Sequence, residues 1–128
     1  MCAKSRKAVR YEILGRVESE ELSAFPGTLL DISTLGCKIH YSNPVVVALE
    51  NEYTVKIKFT DRDLPETLTM ICQPVWASED NGSTDIGFKF LHSPDTDTLL
   101  RYITILHIDS QDAGGVESQI VENECQFI

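Results

Sequence analysis

No stretch of this 128-residue chain approaches the ~18 consecutive apolar residues that a membrane-crossing helix needs, and residues 1 to 20 lack the apolar centre of a secretory signal. These absences predict a cytoplasmic protein without membrane insertion. The four cysteines, Cys2, Cys37, Cys72 and Cys125, stand far apart and include no CxxC pair, so neither a zinc site nor a disulfide scaffold is indicated; Cys37 and Cys72 read as small buried hydrophobes. His40, His92 and His107 fall in no metal or catalytic spacing and read as surface or capping residues. No nucleophile and base stand together in a recognisable pattern, so no catalytic residue, metal or cofactor is expected. Positive charge is scarce: 11 Lys and Arg face 20 Asp and Glu, for a net charge of −9. Aromatics make up only 8% of the chain and do not interleave with cations on a common face, which disfavours nucleic acid as a partner.

The middle of the chain alternates with period two, the mark of strands with one buried face. Tyr11, Ile13 and Val17 alternate first, and Thr28 to Ile32 makes a second run. Cys37, Ile39 and Tyr41 form a third. Tyr53, Val55, Ile57 and Phe59 point one way while Thr54, Lys56, Lys58 and Thr60 point the other. Leu68, Met70 and Cys72 lead through Pro74 to Val75 and Trp76, and Ile86, Phe88 and Phe90 come last; Pro74 belongs at an edge or bulge. Turn signals are read at Pro26-Gly27, Asp61 to Pro65 and Asp80-Asn81-Gly82. Short antiparallel strands at this spacing favour a small closed barrel. A helix follows over about 94–108, with Ser93 as its cap, Pro94 at its first position, Asp95 and Asp97 in its first turn, and Leu99, Leu100, Ile103, Leu106 and His107 at helical spacing. One domain is expected over 11–108, preceded by a flexible arm (1–10) and followed by a linker and loosely held tail (109–128).

The arm reverses the charge of the rest. Lys4, Arg6, Lys7 and Arg10 carry four positive charges with no acid among them, so in a chain of net −9 the other residues carry −13. Within the arm, Arg6-Lys7-Ala8-Val9-Arg10 has the form RxxxR. About twenty residues on, Asp31-Ile32-Ser33-Thr34-Leu35-Gly36 has the form DxSxxG. The pair, in this order, resembles the signature of the PilZ domain, a bacterial receptor module for the second messenger cyclic di-GMP. The resemblance rests on Arg6, Arg10, Asp31, Ser33 and Gly36, and the strand pattern with its closing helix agrees over roughly residues 6 to 108. It implies a mainly β protein, a six-stranded antiparallel barrel with a C-terminal helix, that binds cyclic di-GMP at those five positions.

The chemistry of these residues suits such a ligand, which carries two phosphates and two guanines. Arginine forks onto phosphate oxygens, stacks on rings and pairs bidentately with guanine O6 and N7. Lys7 adds charge without that geometry. The N1–H and N2–H donors of guanine match a carboxylate such as Asp31. Ser33 supplies a hydroxyl, and Gly36 permits either a positive φ or a close approach to a base. The same three residues also suit a plain Asx or Ser turn closed by a hairpin glycine, and the two readings are compatible. Ser5, flanking the arm, bears on whether one nucleotide or an intercalated pair binds. Trp76 lies where members of the family often place a strand aromatic near the ligand, and is a second-rank candidate; a barrel-wall tryptophan is the other reading. The resemblance implies a sensor in which ligand orders the arm and alters the surface offered to a downstream protein, with outputs in motility, biofilm or virulence, as a monomer or weak homodimer. The alternative is a nucleotide-independent interaction module that docks, for example, to pilus or secretion machinery.

Overall fold

The computed structural model describes residues 9–60, 64 and 66–113. Six strands, β1 (Tyr11–Ser19), β2 (Ser23–Ile32), β3 (Gly36–Tyr41), β4 (Tyr53–Phe59), β5 (Leu68–Asp80) and β6 (Ser83–Phe90), precede one helix, α1 (Thr96–Ala113). The strands close into a barrel in the order β1-β2-β3-β6-β5-β4, and each neighbouring pair is antiparallel. The fold is thus the mainly β, six-stranded barrel with a C-terminal helix that the sequence implies. Inward positions are apolar at period two: Ile13 and Val17, Leu29 and Ile32, Cys37, Ile39 and Tyr41, Val55, Ile57 and Phe59, Leu68, Met70 and Cys72, Ile86 and Phe88 are all buried. Burying a side chain of this kind contributes roughly 1.5–3 kcal/mol, which is what holds the barrel shut.

Helix α1 covers one end of the barrel with Leu99, Tyr102, Ile103 and Leu106. Tyr102 packs on Phe59 with ring centroids 5.7 Å apart, and its hydroxyl accepts the Glu66 N–H at 3.0 Å. Near the other end of the helix, the Tyr11 hydroxyl and His107 Nδ1 share a 2.8 Å hydrogen bond. Leu100 is on the opposite side, exposed, so it does not belong to the packing face that its spacing suggests.

Three local expectations need correction. Pro26-Gly27 is not a turn but lies inside β2; the chain reverses at residues 20–22. β3 pairs with β2 only from Thr28 onward, so Pro26 stands where β2 has one free edge and its missing N–H costs nothing. Gly27 is inside the strand because the Tyr41 ring lies against it: a Cβ there would be 2.8 Å from Tyr41 Cε1. Second, the helix runs to Ala113, five residues past the expected end at 108, so residues 109–113 are helix and not linker. Third, Ser93 does not spend its hydroxyl on the helix. Its Oγ accepts the Ile71 N–H at 2.8 Å and donates to the Leu91 carbonyl at 2.6 Å, while Thr96 Oγ1 accepts the Ser93 N–H at 2.8 Å and Asp95 accepts the Thr69 N–H at 2.7 Å. The start of the helix is therefore stitched to β5.

Candidate functional site

Two bulges build the outer face that carries the candidate residues. Leu29 of β2 pairs with Ile39 and Asp31 with Lys38, leaving Leu30 as an extra residue. Strict alternation from the buried Leu29 would turn Asp31 inward; the bulge inverts the phase, so that Ile32 is buried and Asp31 faces out. In β5, Pro74 pairs with Phe88 and Trp76 with Gly87, leaving Val75 as the extra residue. That second inversion puts Trp76 on the outside, in register with the outward Gly87. Pro74 thus sits beside a bulge, as its chemistry requires.

Arg10 immediately precedes β1 and is tied down. Its Nε and Nη2 donate to Asp31 Oδ1 at 3.1 and 2.6 Å, and the two side chains are only 21% and 19% exposed. Charge-assisted bonds in such a part-covered setting are worth about 1.5–3 kcal/mol. Arg10 is therefore the fixed end of the arm and not a loose part of it. Both contacts fall on Oδ1, so among the described residues Asp31 Oδ2 retains its capacity to accept. Arg6, Lys7 and Ser5, with the rest of residues 1–8, lie outside the described residues.

Ser33 is fully buried and closes the β2–β3 turn: its Oγ accepts the N–H groups of Leu35 at 3.0 Å and Gly36 at 3.2 Å, and its own N–H donates to the Gly36 carbonyl at 2.8 Å. This hydroxyl shapes the turn that holds Asp31 at the rim. Gly36 begins β3 opposite Lys89. The positive φ angles among the described residues fall instead at Asn81 (53°) and Gly82 (85°), the tip of the β5–β6 hairpin, so Gly36 is not there for a left-handed backbone. A depression of about 430 Å³ beside Asp31 is lined by Glu12, Ile13, Leu14, Leu30, Asp31 and Lys38, within the size range of small-molecule sites.

Trp76 lies across Gly87. A Cβ at that glycine would be 2.2 Å from the indole Nε1 and 2.4 Å from Cε2, so only glycine admits the ring there. On the other side of Gly87 stands Lys38 of β3, with Nζ 6.0 Å from the Trp76 ring centroid. Lys38 belongs to neither motif; the signal that could have found it is its place two residues after Gly36, on the same outward face. His40 Nδ1 meets Asp85 Oδ1 at 2.6 Å one row away, and His92 is exposed. Among the described residues no three His, Cys, Asp or Glu side chains converge as metal ligands, and no helix is long and apolar enough to cross a membrane.

Beneath this face, Cys37 and Cys72 are buried free thiols. The hydrogen bond they share, together with complete burial, pushes the Cys37 thiol well above its ordinary value, so it stays protonated and inert at neutral pH. Cys2 and Cys125 lie outside the described residues.

The PilZ domain profile matches residues 4–104. No curated protein matches in sequence. Among solved structures, the chain is similar to the Bacillus subtilis inhibitor of motility MotI (TM-score 0.63, 12% identity, covering 83% of this chain and 53% of that one). It is similar also to Escherichia coli YcgR in complex with c-di-GMP (TM-score 0.63, 16% identity, 85% and 49%) and to the PilZ domain of YcgR with c-di-GMP (TM-score 0.60, 17% identity, 86% and 97%). The chain spans about half the length of the first two and nearly all of the isolated domain.

Proposed function

The chain belongs to the PilZ domain family, and from that premise we propose that it is a receptor for cyclic di-GMP which signals by ordering its N-terminal arm. The observation that carries the reading is the Arg10–Asp31 pair at the barrel rim, bonded at 2.6 Å, which unites the two motifs across a separation of twenty-one residues. Held by Asp31, the Arg10 guanidinium is oriented before ligand arrives, so less side-chain freedom is lost on binding. Its remaining N–H groups donate to a phosphate, while Asp31 Oδ2 accepts from guanine N1–H and N2–H. Ser33 acts by fixing the turn. Gly36 lets the ligand lie close to β3. Arg6, on the arm, folds over the nucleotide as a second fork.

Ordering the arm costs conformational entropy and changes the surface beside α1, since Tyr11, next to Arg10, is bonded to His107 of the helix. That changed surface is the signal to a partner protein, in pathways such as motility, biofilm formation or virulence. The chain acts as a binding module and not as an enzyme. Two similar structures hold c-di-GMP and a third is an inhibitor of motility, which supports the choice of ligand and of output.

Isothermal titration of the purified chain with cyclic di-GMP, beside Arg10→Ala and a linear dinucleotide control, tests the reading. Saturable heat that Arg10→Ala removes is the expected result. Silence from a folded wild-type sample overturns it and leaves a nucleotide-independent docking role.

A further inference from the structure

We propose that Lys38, which neither motif contains, is a phosphate-binding residue of this site, and that with Lys89 it carries the site across the outer faces of β3 and β6 towards Trp76. The inference rests on the cyclic di-GMP reading and deepens it. Register places Asp31, Lys38, Gly87 and Trp76 in one outward row over β2, β3, β6 and β5. In the next row Gly36 faces Lys89, which faces Gln73. On β3 and β6 the four outward positions therefore alternate: Lys38 beside Gly87, Gly36 beside Lys89. Two lysine stems rise at diagonal corners and the other two corners carry no side chain. The result is a floor with a cation at either side, whose Gly87 corner is covered by the Trp76 ring.

Among the described residues the lysine charges on this floor meet no carboxylate. Lys38 stands directly opposite Asp31 in the β2–β3 register, yet the carboxylate is taken by Arg10 and the ammonium is turned over the Trp76 ring. Neither Lys38 nor Lys89 forms an ion pair among the described residues. A protein of net −9 has no shortage of carboxylates, so two lysines without an ion pair among the described residues, beside Asp31, point to a phosphate supplied from outside. Glu12, opposite Asp31 on β1, lies on the far side of that carboxylate from the floor.

Distance argues the same way. The Trp76 ring, lying over Gly87, is two strand spacings from Asp31, roughly 10 Å at ~4.8 Å each. One base held by Asp31 does not span that gap. A ligand with two bases joined through phosphates does, with its phosphate crossing at Lys38 and its second base against the indole. Arg10 and Asp31 hold one end, and Lys38 serves the middle.

The test is titration of Lys38→Gln, Lys38→Arg and Lys89→Gln with cyclic di-GMP and cyclic di-AMP, at low and moderate salt, with circular dichroism confirming the fold. Trp76, the single tryptophan, reports ligand arrival by its fluorescence. Loss of one charge-assisted contact predicts binding about tenfold weaker in Lys38→Gln, a shallower salt dependence, an unchanged preference for guanine, and recovery of most of the affinity in Lys38→Arg. Lys89→Gln weakens binding in the same direction and by less. If Lys38 only packs on Trp76, Lys38→Gln binds like wild type with the same salt dependence, and the inference falls while the receptor reading stands. A wild-type chain that binds no cyclic di-GMP overturns both.

Discussion

Replacing Gly87 by alanine puts a methyl group where the Trp76 ring now lies. The new Cβ would meet Nε1 at 2.2 Å and Cε2 at 2.4 Å, against about 3.4 Å for ordinary contact, so one partner must retreat by about 1.2 Å. Gly87 is held by ladders to β3 and β5 on both sides, whereas Trp76 is partly exposed on the outer face, so the ring yields. Lifting the ring exposes roughly a quarter of the ~200 Å² that a large aromatic buries, which at ~25 cal/mol/Å² costs about 1 kcal/mol. The contact with Lys38 adds about 0.5–1 kcal/mol at an exposed site. A total near 1.5–2 kcal/mol, with a urea m-value of ~1–3 kcal/mol/M, lowers the unfolding midpoint by about 1 M. Because Trp76 is unique, one fluorescence titration reads both effects: native emission shifts to the red, and the midpoint falls with m unchanged. Cyclic di-GMP binding weakens at the same time while Arg10 and Asp31 remain intact. Native emission and midpoint identical to wild type would refute the packing on which the extended site depends.

Arg10→Ala removes nucleotide binding in titration calorimetry and also lowers stability by about 1.5–3 kcal/mol, a fall of several degrees in the thermal midpoint; an unchanged midpoint would show that the pair with Asp31 contributes nothing to the fold. Arg10→Lys does not restore binding, since an ammonium lacks the fork. Asp31→Ala weakens binding and relaxes the choice of guanine over adenine, measured by comparing cyclic di-GMP with cyclic di-AMP; wild-type affinities that are already equal would sink the guanine-reading role. Tyr41→Phe stabilises the barrel by about 1 kcal/mol in urea unfolding, because the Tyr41 hydroxyl is buried without a partner among the described residues. Burial, and behind it the Cys37 and Cys72 thiols, push the Tyr41 pKa up from 10.0 to about 12. The folded state therefore keeps a proton that the unfolded chain has lost, so this contribution is complete below pH 10 and falls away as pH rises to about 12; Tyr41→Phe is expected to flatten that alkaline decline.

Much of the barrel was legible because burial imposes period two, and β4 shows why: Val55, Ile57 and Phe59 are buried while Lys56 and Lys58 are exposed, a pattern with a single reading. The errors occur where tertiary context decides. The β1–β2 turn at Glu20-Glu21-Leu22 contains neither Gly nor Pro, whereas Pro26-Gly27 looks like a turn and is tolerated in β2 because one edge there is unpaired. The expected helix end at 108 rests on the polar run Asp109 to Asp112, yet polar residues do not by themselves stop a helix, and the described helix continues through Ala113. Ser93 looked like a cap because sequence does not show that the Ile71 N–H needs an acceptor.

The motifs contain only part of the proposed site, and the reason is geometric. Asp31 and Trp76 are both brought outward by bulges at Leu30 and Val75, and a bulge leaves no mark on alternation except a broken phase that a one-dimensional reading assigns to a strand end. Counting by twos from Cys72 through Pro74 places Trp76 inward; counting from Leu29 places Asp31 inward as well. A motif preserves Asp31 despite that, because Ser33 and Gly36 fix the turn next to it and are close in sequence. Lys38 stands two residues after Gly36, but nothing close in sequence reports that it meets Lys89 and Trp76, since the three come from three strands and meet only through the β3–β6–β5 register. The glycine that lets them meet, Gly87, looks in sequence like a weak point in a strand, and its use appears only when the ring that lies on it is placed. In the proposed reading the RxxxR and DxSxxG pair marks where a guanine is read, and the register brings Lys38, Lys89 and Trp76 beside it.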